Sequence, residues 1–79
     1  MEYVQGGVVK SLKGHDKNGL FLIVKTEGNF VWLVDGKNRK KHNPKKKNVK
    51  HVTLKTYIPE FESLNDKTIR KQLNLLREK

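Results

Sequence analysis

Residues 37 to 51 read KNRKKHNPKKKNVKH, eight Lys or Arg residues with no Asp or Glu among them. The chemistry such a run supports is the neutralisation of phosphate. Lysines are flexible point charges suited to following a sugar-phosphate backbone, and Arg39 is the one guanidinium in the run able to grip a phosphate or a guanine edge with two bonds. The run as a whole is the candidate phosphate-binding surface, and Lys40, Lys41 and His42 enter it on charge alone. Metal chemistry is a weaker reading. His15 lies beside Asp16 and could be joined by His42 and His51, but the spacing matches no zinc pattern and cationic neighbours repel a metal ion, so neither a metal nor another cofactor is expected. Histidines in a basic region are better suited to stacking on bases or bonding phosphates, although His51 reads equally as a packed strand residue. Catalysis finds little footing: Ser11 and Ser63 have no credible His and acid arrangement, Glu60 and Glu62 fall in a connection, and no phosphate-cradling glycine loop precedes a helix. The chain is not read as an enzyme.

The charge is segregated. Residues 1 to 36 carry four bases and four acids, residues 37 to 59 nine bases alone, and residues 60 to 79 five bases and four acids, so nearly all of the net charge of +10 resides in the middle. A patch of this kind predicts a polyanionic partner rather than a generally basic surface. The length, 79 residues, suits one small domain, a size at which only about 60% of the unfolded chain's surface is buried on folding. The absence of Cys removes disulfides, zinc thiolates and thiol nucleophiles and fits a reducing compartment. The opening MEYVQGG lacks a basic region followed by an apolar core, and no apolar run approaches the ~20 residues a membrane span needs, so the expectation is a cytoplasmic protein without membrane contact.

The elements that must position the basic residues follow from turns and apolar runs. Residues 3 to 12 read as an entry segment and first strand. Residues 13 to 19 form a polar loop ending in Asn18-Gly19, a dipeptide that readily takes positive φ. Residues 20 to 24 and 30 to 34 are continuous apolar runs joined by a hairpin, and their continuity predicts burial on both faces. Phe30 and Trp32, which could form a base-stacking platform, are assigned to the core on that ground. After the Asp35-Gly36 turn a short strand is expected near 37 to 41, then an extended loop over 43 to 48 around Pro44, then a last strand over 49 to 54. Leu64, Ile69, Leu73 and Leu76 fall at helical spacing, with Asn65 as N-cap and Leu64 and Ile69 as a hydrophobic staple. This helix should cover the outer face of the sheet, leaving Lys67, Arg70, Lys71 and Arg77 as a solvated face. Short strands at close spacing indicate a small β-barrel or strongly bent sheet. The division expected is a barrel over 1 to 56, including the basic loop 37 to 51, and a linker and packed helix over 57 to 79.

The run from Gly7 to Val24, GVVKSLKGHDKNGLFLIV, resembles a KOW motif, the strand-loop-strand element of SH3-like barrels in ribosomal proteins and transcription elongation factors. Asp35-Gly36, Arg39, the segment Pro44-Lys45-Lys46-Lys47 and Lys50-His51-Val52 are similar to the second signature of one subgroup, the bacterial KOW-domain RNA-binding proteins related to archaeal and eukaryotic large-subunit ribosomal proteins. Asp66 to Lys71, with its Asp-Lys-x-Ile-Arg-Lys pattern, resembles that subgroup's terminal helix. The chain departs from the pattern in having Asn18 where a glycine is usual and His15 where an Arg is usual. The resemblance implies a mainly β fold, a small SH3-like barrel with one C-terminal α-helix. It implies RNA binding by Lys13, His15 and Lys17 of the β1-β2 loop and by Arg39, Lys45, Lys46, Lys47 and Lys50 of the basic signature, in a ribosome-associated protein that binds structured RNA. The partner implied is ribosomal RNA of the large subunit, with ribosomal proteins as further neighbours and the chain a monomer. Replacing Lys45, Lys46 and Lys47 together with Gln is expected to weaken RNA binding without unfolding the domain. Charge leaves open a DNA-binding or transcription-associated KOW module, and an SH3-like barrel, a fold that often binds peptides, leaves open a protein-interaction module.

Overall fold

The computed structural model describes residues 2–77. Five strands form one antiparallel sheet in the order β4-β3-β2-β1-β5, where β1 is Gly7–Ser11, β2 Leu20–Glu27, β3 Phe30–Val34, β4 Lys45–Asn48 and β5 Val52–Tyr57. A helix, α1, spans Asp66–Arg77. The fold is therefore mainly β with one C-terminal helix. Among the described residues, hydrogen-bonded pairing leaves β4 and β5 at opposite ends of the sheet.

Alternation along the strands builds two cores. Val8, Leu20, Leu22 and Val34 face Ile58 and the helix residues Ile69 and Leu73. On the opposite side of the sheet Val9, Phe21, Ile23, Val31, Leu33 and Val52 pack together. The apolar run of β2 thus buries both faces of the sheet over Leu20 to Ile23, whereas in β3 Phe30 is exposed and Trp32 half-buried; α1 covers one face over Leu20, Leu22 and Val34, as its spacing predicts. Asn65 caps the helix: its Oδ1 accepts from the Thr68 amide at 2.9 Å while its own amide donates to Thr68 Oγ1 at 2.8 Å. Leu64 packs against the cluster that contains Ile69, as the staple requires.

Between β3 and β5 the chain departs from the sequence reading. No strand forms over 37 to 41. Asp35 Oδ1 accepts the amides of Lys37 and Arg39 at 2.9 and 2.8 Å, and Asp66 Oδ1 accepts that of Lys41 at 2.8 Å, so donors a strand would offer to a neighbour are taken by carboxylates. Gly36 is buried in this turn at φ 77, and a Cβ there would collide with the Asp66 carbonyl oxygen and the Arg70 amide. The turn therefore seats on the first turn of α1 only because residue 36 has no side chain. The predicted loop over 43 to 48 is largely strand: Pro44 stands just before β4, where its missing N–H interrupts no ladder, and Lys45–Asn48 pair with Leu33 to Phe30. Residues Val49–His51 form a 3-10 turn instead of opening the last strand, because Asn48 Oδ1 captures the Lys50 amide at 3.0 Å. The last strand starts at Val52 and runs to Tyr57.

Candidate nucleic-acid interface

The β1-β2 loop projects from a closed neck, where the Ser11 amide donates to the Gly19 carbonyl at 2.9 Å and the Asn18 amide to the Ser11 carbonyl at 2.8 Å. Asn18 takes φ 73, the left-handed geometry its side chain tolerates, so the loop closes without a glycine at that position. Lys13, His15 and Lys17 are exposed on it. Asp16 points the other way, toward β4, and its side chain retains 17% of its exposure.

Asp16 is the organiser of this end of the sheet. Lys47 Nζ donates to Asp16 Oδ1 at 2.7 Å, to Ser11 Oγ at 2.7 Å and to the Lys13 carbonyl at 2.8 Å. An ammonium has three protons, and these three acceptors use them all. The Lys47 side chain is only 10% exposed, so it is a structural clamp between β4 and the loop with no donor left for a phosphate. Lys45 Nζ donates to Asp16 Oδ2 at 2.9 Å, but it is 34% exposed and keeps two protons free. Burial alone would raise the Asp16 carboxyl; the hydrogen bonds from Lys47, Lys45 and Ser11 and the charge of Lys47 outweigh it and hold the group well below the ordinary carboxylate range.

The lysine run therefore splits by strand alternation. Lys45 and Lys47 turn toward Asp16, and Lys46 turns to the other face, where its Nζ lies 4.3 Å from the centroid of Phe30 and 5.6 Å from that of Trp32. The assignment of both rings to the core is corrected by the same alternation: Val31 and Leu33 take the inward positions of β3, Phe30 is 38% exposed and Trp32 is half-buried.

The other candidate residues fall in two places. Lys50 is exposed on the 3-10 turn beside the loop, where His51 also sits. Desolvation, then the charges of Lys13, Lys50 and Lys47, push the His51 imidazole below its ordinary value, as expected for a group set among cations. Lys40, Lys41 and His42 are exposed and Arg39 half-buried on the 35 to 42 turn against α1. There Lys41 Nζ donates to the Leu64 carbonyl at 2.7 Å, so this lysine fastens the turn to the helix entry. Lys37 from the turn and Arg70 and Arg77 from α1 border one depression together with Asp35 and Asn74, which extends the basic surface onto the helix.

Sequence reasoning missed Asp16 and Ser11, whose importance lies in what folding brings to them, and Lys25, which stands over Trp32 at 4.6 Å. The available signal for Asp16 was its isolation as the one acid among the cations of residues 10 to 25. Among the described residues no group of three or more His, Cys, Asp or Glu side chains could hold a metal ion, and no helix is long and apolar enough to cross a membrane. Comparison of the chain with protein-family models gives no match, and comparison with curated proteins gives none either.

Proposed function

We propose that this chain is an RNA-binding module of the KOW type, with an SH3-like barrel as its architecture, that engages structured ribosomal RNA as a cytoplasmic, ribosome-associated monomer. The observation that carries the reading is the acid-free segment 37 to 51, whose exposed Lys40, Lys46 and Lys50 join Lys13, His15 and Lys17 of the β1-β2 loop on the molecular surface. Three carboxylates contact this region, Asp16, Asp35 and Asp66; each accepts hydrogen bonds from it and braces it, and their three charges leave most of its eight cations unbalanced. A surface of mobile lysines on a braced loop suits phosphates held in a defined fold, with affinity supplied mainly by charge. The ribosomal part of the reading rests on the residues that resemble the KOW subgroup.

The test is sedimentation of a lysate through a sucrose gradient at moderate salt, with the protein followed by a tag and the gradient repeated after ribonuclease treatment. Migration with the large subunit or a precursor, lost on ribonuclease treatment, is expected. A protein that stays at the top in both gradients overturns the ribosomal reading. Competition between a structured RNA and duplex DNA at matched salt then separates RNA binding from a DNA-directed module.

A further inference from the structure

We propose that the outward row formed by β2, β3 and β4 is a stacking site for unpaired bases of an RNA strand, with Trp32 and Phe30 as the rings and Lys25 and Lys46 as the phosphate partners. This rests on the RNA-binding reading above and adds to it a second mode of contact, distinct from the charge of the loops.

Strand register builds the row. Lys25 pairs with Trp32 across β2 and β3, and Trp32 pairs with Lys46 across β3 and β4, so the three side chains lie side by side on one face. The register shifts between Ile23 and Lys25, a bulge that sets two residues of β2 against one of β3. Val24 packs against the helix-side core, as alternation from Leu22 requires, and the bulge brings Lys25 out beside Trp32 on that same face. Without the extra residue, strict alternation after Ile23 would send position 25 to the opposite side of the sheet from Trp32. The helix covers this face over Leu20, Leu22 and Val34 but leaves Phe30 and Trp32 partly open.

The chemistry of the row selects its occupant. Every nucleobase has a π-face that stacks on an aromatic ring, and the strand that carries it is anionic; Lys25 and Lys46 beside the rings outnumber the carboxylate of Glu27, which pairs with Phe30, so the row complements both. Lys25 and Lys46 hold their ammonium groups 4.6 and 4.3 Å from the ring centroids, near enough to transfer to phosphates when a base takes the ring face. Spacing excludes a paired duplex. Residues two apart on a strand are separated by about 6.8 Å, roughly twice the 3.4 Å between successive nucleotides of a duplex strand. Trp32 and Phe30 can therefore each receive a base only where neighbouring bases have come apart.

Trp32 is the single tryptophan of the chain, so its fluorescence reads the site directly. The full chain is titrated with a blunt RNA hairpin and with the same hairpin carrying a six-nucleotide unpaired tail, and with a poly-glutamate peptide. The tail is expected to quench Trp32 and to raise affinity about tenfold, the scale of one stacked base. Trp32→Ala should abolish that gain and leave the blunt hairpin unaffected, Trp32→Phe should keep most of it, and Phe30→Ala should lower it even if Trp32→Ala does not fold. A blunt hairpin that binds while the tail adds neither affinity nor quenching overturns the stacking site and leaves the RNA reading standing. Failure of both RNAs to bind overturns both. Stronger quenching by the peptide than by the tailed RNA assigns the row to an acidic protein segment and overturns the proposal.

Discussion

At the scale of single residues, neighbouring lysines of one run have different duties. Lys47 has all three ammonium protons bonded and is nearly buried, whereas Lys46 rests on exposed Phe30 and half-buried Trp32. Asp16→Asn removes the charge that balances Lys45 and Lys47, and should destabilise the fold by about 1–3 kcal/mol, less than a fully buried pair would because the site keeps some contact with water. Lys46→Gln should change stability by no more than about 1 kcal/mol. Urea unfolding of the two variants measures the difference, and equal midpoints would remove the assignment of Asp16 as organiser. Replacing Lys45, Lys46 and Lys47 together consequently mixes a structural loss with any loss of binding; Lys46→Gln and Lys50→Gln are the cleaner probes. His51 gives a pH signature. Its folded-state value lies below the ordinary one, so as pH falls the unfolded chain takes up the proton first, at about 6.5. The stability it contributes is complete above that pH and declines as pH falls through the lower folded value. Urea midpoints at pH 7.5 and 5.5 should therefore differ more for the wild-type chain than for His51→Gln.

At the scale of elements, the helix is held by its cap and by two buried side chains. Asn65→Ala should cost about 1 kcal/mol, the usual value for a lost N-cap. Leu73→Ala should cost about 2–5 kcal/mol, since Leu73 is fully buried between helix and sheet. Thermal unfolding distinguishes the two, and a Leu73→Ala variant as stable as wild type would mean that the helix does not complete the core. The cap, the staple and the two hairpin strands were legible in sequence because each is set by residues within a few positions of one another. Edge strand β4 was not, since lysines and an adjacent proline argue against a strand locally, and only the free edge of β3 supplies the partner that orders it. The turn over 35 to 42 was misread for the same reason: one of the carboxylates that takes its amides, Asp66, lies 25 residues away along the chain.

At the scale of the whole molecule, charge is the governing quantity. The excess of +10 is concentrated in one segment, and the exposed cations of that segment and of the β1-β2 loop keep most of it at the surface. If roughly six of these groups each neutralise one phosphate, counterion release predicts that RNA affinity falls about a thousandfold between 50 and 200 mM salt. Filter binding across that range measures the slope, and an affinity that hardly changes with salt would eliminate a phosphate-driven interface.

The amino-acid sequence by itself determined the sign and location of the charge, the mainly β character, the covering helix and its cap, because composition, apolar runs and capping residues act locally or by simple summation. Tertiary structure decided which cations are available. Lys47 is spent on Asp16 and Ser11 because folding lays β4 against the β1-β2 loop, more than thirty residues from Ser11 along the chain. It also decided that Trp32 and Phe30 face outward, since the side of β3 that each residue takes depends on pairing with β2 and β4. Neither outcome is encoded in any short stretch; both follow from register, which exists only once strands distant in sequence have met.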